Sequence, residues 1–143
     1  DIQPVGLAAR DSLRLEMGFC LYGNDIDQTT NPLEAGLGWI TKLSKPNFIA
    51  KDVLLKIKEN GLNRKLVAIT SDEKTFPRHG YDLSISNNKI GVVTSGTVSP
   101  MLEKPIAMGY VETKYADIGS EVNFLIRGKE VPAKVVKLPF VKR

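Results

Sequence analysis

The spacing of apolar residues changes period part-way along the chain. Before about residue 62 it is helical: Ala9, Leu13 and Met17 fall on one stripe of an amphipathic helix, and Gly18 follows as a stop signal. Ile49, Val53 and Ile57 form a second stripe within "NFIAKDVLLKIKENG", with lysines toward its end and Gly61 beyond it. Each stripe is expected to face a core. Between the two helices, "YGNDIDQTTNPLEAGLGW" is dense in turn-forming residues and reads as an ordered loop leading into a short strand.

Beyond residue 62 the period shortens to that of strands. "KLVAIT", "YDLSI", "KIGVVTSG", "AMGYVE", "EVNFLI" and "VPAKVVKLPF" are rich in β-branched residues and separated by turn chemistry. "SNNKIG" and "RGKE" predict tight hairpins, since Asn and Gly tolerate the backbone angles those turns need. "GVVTSGTVSP" reads as a strand exit into a Gly/Ser/Pro loop, either for unusual backbone angles or to line a cleft. Short antiparallel strands in this number favour closure, because a closed sheet has no exposed edges. The predicted fold class is therefore α+β and mostly β: a helical part, then a small antiparallel six-stranded β-barrel, with a boundary near residues 58–63.

Composition narrows the chemistry. The 143 residues are 42% hydrophobic and 25% charged, and no apolar run is long enough to span a bilayer. The chain opens at Asp1 directly on a structured-looking segment, and is expected to be a piece of a longer protein. Cys20 is the only cysteine and His79 the only histidine. This excludes an internal disulfide framework and argues against a zinc site and against histidine-based acid–base chemistry, so no metal is expected. A net charge of +4 would suit an anionic ligand but is too small to indicate nucleic acid.

Arg10 and Arg14 stand one turn apart on the same helical face, where like charges repel by roughly 0.2–0.5 kcal/mol. Either Asp11, Glu16 or a distant carboxylate neutralises them, or one of them meets a ligand. Gly6, Ala8 and Ala9 would allow a close approach there. "NDIDQTTNPLEAG" fails as a calcium loop, because counting from Asp25 the positions that require Gly and Glu hold Thr30 and Gly36. Trp39 reads as a core anchor or a stacking platform, and Cys20 as a buried small hydrophobe. Arg78 and His79 in "PRHGYDL" read as a cross-barrel charge and a surface or packed histidine. Lys42, Lys45, Lys51, Lys56 and Lys58 read as a solvated face, without the interleaved aromatics that stack bases.

"GLAARDSLRLEMGFCLYGNDIDQTTNPLEAGLGW", "VVTSGTVSP" and "IAMGYV" together resemble the T-protein family, the aminomethyltransferases of the glycine cleavage system, in the right order along the whole chain. The resemblance implies transfer of a one-carbon unit from the aminomethyl-lipoyl arm of H-protein to tetrahydrofolate. The products would be 5,10-methylenetetrahydrofolate, ammonia and reduced lipoyl protein. It implies that residues 1–58 are the C-terminal end of a folate-binding domain and residues 62–143 the family's barrel. Arg10 matches the arginine of the family's A-R-D segment and is implied to face folate; Trp39 takes the aromatic position beside that pocket. Arg14, Glu16 and Arg78 are expected to be structural charges.

The family's catalytic aspartate and the glutamate that grips the pterin would both lie upstream of Asp1, and a tyrosine that usually follows "PFV" is missing. No catalytic residue is therefore expected within this chain. The implied partners are tetrahydrofolate and lipoylated H-protein, with no nucleic acid and no membrane. The implied compartment is the cytoplasm if bacterial, or the mitochondrial matrix if eukaryotic. The alternatives are the folate module of a dimethylglycine or sarcosine oxidoreductase, a folate-binding iron–sulfur maintenance protein, and a nucleic-acid-binding β-barrel. The iron–sulfur proteins carry "KGCYxGQE", where this chain reads "MGFCLYGNDID".

Overall fold

Strand pairing closes the second half of the chain on itself. A computed structural model describes residues 1–142, with helices α1 (Leu7–Glu16) and α2 (Lys51–Asn60) ahead of the strands. The strands are β1 (Arg64–Thr70), β2 (Asp82–Ile85), β3 (Asn88–Val98), β4 (Pro105–Glu112), β5 (Glu121–Ile126) and β6 (Lys129–Val136). They are antiparallel in the order β1-β4-β3-β2-β5-β6, and pairing of β1 with β6 completes the barrel. The expected six-stranded barrel is thus present, and each strand overlaps its predicted segment, although β6 ends at Val136 where a strand on to Phe140 was expected.

Both hairpins have the turn their residues favour. Ser86 and Asn87 take φ of 50° and 63°, and Arg127 and Gly128 take 51° and 77°. Two successive positive φ values give a turn whose twist matches the flanking strands. Inside the barrel, Val67, Ile69, Leu83, Val93, Phe124 and Val135 are buried together. β4 is buried on both sides (Glu112 apart): Ala107 and Val111 point into the barrel, while Ile106 and Met108 point outward beneath α1 and pack on Leu15.

That arrangement corrects the helix faces. The stripe Ala9–Leu13–Met17 does not form a core; Leu13 is 63% exposed, and the buried residues of α1 are Arg14, Leu15 and Glu16. The two charged residues have their partners on the barrel, so the helix turns their side inward and leaves the apolar stripe outward. In α2, Leu54 is buried while Val53 is exposed. Ile49 lies outside that helix and is 97% exposed, because Ala50 at φ 67° interrupts the backbone before Lys51.

Two further expectations change. Residues 32–41 form turns, not a short strand. Asn31 Oδ1 accepts hydrogen bonds from the amides of Leu33 and Glu34, and the Glu34 carboxylate accepts from the Asn31 amide. This reciprocal capping coils the chain where an extended segment was expected. "GVVTSGTVSP" is not a strand exit, since β3 runs through to Val98. Gly96 is needed within it because a Cβ there would run into the Pro77 carbonyl.

Glu130 on β6 braces the β2–β3 hairpin, accepting from Ser84 Oγ at 2.6 Å and from the Asn87 amide at 2.8 Å. The Ser84 hydroxyl, and then the Asn87 amide, hold its carboxyl below the ordinary value of 4.5. A carboxyl lowered on folding contributes stability above that unfolded value and loses it as pH falls through the lower folded one. Glu130→Gln is therefore expected to lower the thermal midpoint at pH 7, with the gap to the parent closing below pH 4.5 as measured by circular dichroism.

Candidate functional site

Two arginines one turn apart on α1 have opposite fates. The Arg14 guanidinium is buried, with Nη1 donating to Asp25 Oδ2 at 2.6 Å and to the Phe19 carbonyl at 3.2 Å. Nε and Nη2 both reach Asp11 Oδ1, at 2.8 and 2.6 Å, and Nη2 also donates to Ser95 Oγ at 2.8 Å. Asp25 is 1% exposed, and its remaining capacity is filled by the Leu21 amide at 2.9 Å and by Thr94 Oγ1 at 2.5 Å. A buried ion pair is tolerated when its other polar positions are also satisfied, and here they are.

Arg10 forms no ion pair among the described residues. It is exposed and lines an open groove of about 640 Å³ whose walls are mostly apolar, with Val5, Leu13, Met17, Phe19, Met101 and Val141. The outward stripe of α1 therefore forms part of a cavity wall around an uncommitted guanidinium. Such a group in an apolar setting can donate up to five hydrogen bonds in a rigid fork to a carboxylate or an amide edge.

Two more ties hold the first part of the chain to the barrel. Glu16 accepts from Ser99 Oγ at 2.5 Å and from the Met101 amide at 3.1 Å, and its carbonyl accepts from the Phe140 and Val141 amides. Glu34 pairs with Arg64 at 2.9 Å, while the Glu34 carbonyl accepts from the Leu66 amide. Burial raises the Glu34 carboxyl, but the Arg64 hydrogen bond and the Asn31 amide bring it below its ordinary value. The Arg64 guanidinium also lies 4.5 Å over the Tyr110 ring, whose hydroxyl donates to the Asp25 carbonyl at 3.0 Å. Burial and the Glu34 charge push the Tyr110 phenol up, so it keeps its proton for that bond.

The other candidates divide plainly. Trp39 is 73% exposed, so it is not a core anchor; it lines a separate cavity of about 460 Å³ with Leu33, Lys42, Leu43, Lys58 and Leu62. Arg10 and Trp39 thus do not share one cavity. Cys20 is half-buried against the Leu15 cluster, and burial followed by the Asp25 charge raises its thiol, so it packs as a small hydrophobe. Arg78 does not cross the barrel; it is exposed and sits 5.7 Å over Phe76. His79 is exposed, and its Nδ1 donates to the Thr94 carbonyl at 2.7 Å. No cluster of metal-ligating side chains occurs among the described residues.

Residues 64–142 match the Glycine cleavage T-protein C-terminal barrel domain, and residues 1–45 match the GCVT N-terminal domain. This chain belongs to the glycine cleavage T-protein family. It is 57% identical to an aminomethyltransferase of Flavobacterium psychrophilum, over 99% of this chain and 39% of that protein. With the aminomethyltransferase of Phocaeicola vulgatus the identity is 55%, over 99% of this chain and 40% of the relative. The crystal structure of glycine cleavage system aminomethyltransferase T from Bartonella henselae superposes with a TM-score of 0.90 at 42% identity, over 96% of this chain and 39% of that one. The chain therefore spans about 40% of the length of the curated relatives it matches.

In this T-protein segment, one of the two features that the sequence did not bring out had a local signal and the other had none. Asn31-Pro-Leu-Glu34 is a capping arrangement with proline at the first coiled position. Asp25 was weighed only as a calcium ligand, and its role as the partner of Arg14 depends on a fold-level contact that no local spacing reveals. Asp25→Ala would leave Arg14 buried against a lost partner. It is expected to cost about 3–5 kcal/mol of unfolding free energy, measured by urea denaturation.

Proposed function

We propose that this chain is the C-terminal part of a tetrahydrofolate-dependent aminomethyltransferase, with residues 1–58 completing a folate-binding domain and residues 62–143 forming the barrel. The full-length protein takes the aminomethyl group from lipoylated H-protein, passes its one-carbon unit to tetrahydrofolate and releases ammonia. The observation that carries this reading is the unpaired, exposed Arg10 in an apolar groove, beside an Arg14 whose hydrogen bonds are all internal. Family membership and aminomethyltransferase relatives of similar sequence support it.

Arg10 recognises folate through the hydrogen-bonding edges and carboxylate of that molecule, and the apolar wall strengthens each bond by excluding water. Trp39 offers a flat face for aromatic contact in its own cavity, which shares no lining residue with the groove of Arg10. Glu16, the carboxylate residue that shares the groove with Arg10, is engaged with Ser99 and the Met101 amide, so the role proposed for this part of the enzyme is to bind and orient. No helix among the described residues is long and apolar enough to cross a membrane.

In the full-length protein, Arg10→Ala is expected to weaken tetrahydrofolate binding at least about tenfold, the value of one lost charged hydrogen bond, by isothermal titration calorimetry. Equal affinity in the variant would remove Arg10 from the site. The isolated 143-residue chain is expected to show no turnover of H-protein-bound aminomethyl-lipoate in an ammonia-release assay. Measurable turnover would place catalytic groups within it.

A further inference from the structure

The regular pairing of β3 with β4 is broken at one place. Val93 pairs with Gly109 and Ser95 pairs with Met108, so Thr94 is an extra residue, a β-bulge. In a regular strand, successive side chains point to opposite faces. Here Thr94 and Ser95 are consecutive, both buried, and both engaged in the same polar cluster outside the barrel. Thr94 Oγ1 donates to Asp25 Oδ1 at 2.5 Å, and Ser95 Oγ accepts from Arg14 Nη2 at 2.8 Å. The bulge re-aims one side chain so that adjacent hydroxyls hold both partners of the buried ion pair. Val93, just before it, remains in the barrel core.

We propose that the β3 bulge is a positioning device for ligand recognition: through Asp25 and Arg14 it sets the placement of α1 on the barrel, and hence of Arg10 one turn earlier. Thr94 and Ser95 are positioning residues that touch no ligand themselves. The Ser95 hydroxyl directly, and the Thr94 hydroxyl through Asp25, fix the guanidinium of Arg14 at a point on the barrel surface, and the regular helix geometry carries that placement to the backbone of Arg10 one turn earlier. Leu15, packed on Ile106 and Met108, resists separation of helix and barrel. Apolar packing of this kind tolerates sliding, whereas the directional bonds to the bulge do not. The barrel thereby acts on folate binding from beneath the pocket wall. This inference rests on the assignment of Arg10 to tetrahydrofolate.

A double-mutant cycle in the full-length protein tests it, with tetrahydrofolate affinity read by calorimetry and folding checked by circular dichroism. Thr94→Val keeps the shape and removes the donor, and is expected to weaken binding about fivefold, within the range by which residues linking two sites alter their coupling. Thr94→Ser retains the hydroxyl and is expected to bind within about twofold of the parent. In an Arg10→Ala background, Thr94→Val should have no further effect, because the group it positions is gone. A purely structural role would lower the thermal midpoint in both backgrounds while leaving the affinity of the folded protein unchanged. Parental affinity in Thr94→Val, or a loss that adds in full to that of Arg10→Ala, overturns the proposal. Should Thr94→Val not fold, Ser95→Ala enters the same cycle with the same expectations. If Arg10→Ala itself binds like the parent, the folate assignment falls and this inference with it. If Arg10→Ala weakens binding and the bulge variants do not, only the inference falls.

Discussion

A guanidinium and a carboxylate buried against each other at 2.6 Å tie α1 and the loop after it to β3. Removing both charges from water is costly, and the protein offsets that cost with an unusually complete set of partners. Asp11, Ser95 and the Phe19 carbonyl join Asp25 around Arg14, and Thr94 and the Leu21 amide join Arg14 around Asp25. The pair draws contributions from α1, from the loop after it and from β3, elements far apart in the chain. Such bonds are directional, so they fix one placement of helix on barrel where Leu15, Ile106 and Met108 alone would permit several. Glu16 and Glu34 repeat the pattern at either side, each a carboxylate from the first part of the chain bonded to the barrel or its loops.

The same interaction separates the roles of two similar residues. Arg14 spends its hydrogen-bonding capacity inside the protein; Arg10, on the same helix one turn earlier, forms no ion pair among the described residues. Repulsion between the two charges is relieved because Arg14 is neutralised by Asp11 and Asp25, while Arg10 remains at the surface of an apolar groove. The outward stripe of Ala9, Leu13 and Met17 then has a use as groove wall that its helical spacing alone did not reveal.

The barrel was legible because its signals are local. Alternation along "KLVAIT" or "EVNFLI" and the residues of the "SNNK" and "RGKE" turns specify strand and hairpin without reference to anything distant. The helix faces were not legible for the opposite reason. An apolar stripe shows only that some surface prefers to be covered, and here polar partners on β3 and in the loop after it outweighed it and turned Arg14 and Glu16 inward. The bulge at Thr94 was invisible for the same reason, since "VVTSGTV" carries no mark of where its pairing slips. Arg10 was singled out by family resemblance alone; the spacing left open which arginine would be neutralised, and the geometry shows that Arg14 is, by Asp11 and Asp25. Trp39 was misjudged as a possible core residue because tryptophan is usually buried, whereas here it borders a cavity of its own.

A crystal structure of the full-length protein with bound tetrahydrofolate tests the division between the two arginines most directly. Arg10 should lie within hydrogen-bonding distance of the folate, with Arg14 still on Asp25 and Ser95. A structure in which Arg14 leaves Asp25 to contact the ligand, or in which Arg10 points away from it, would contradict the division.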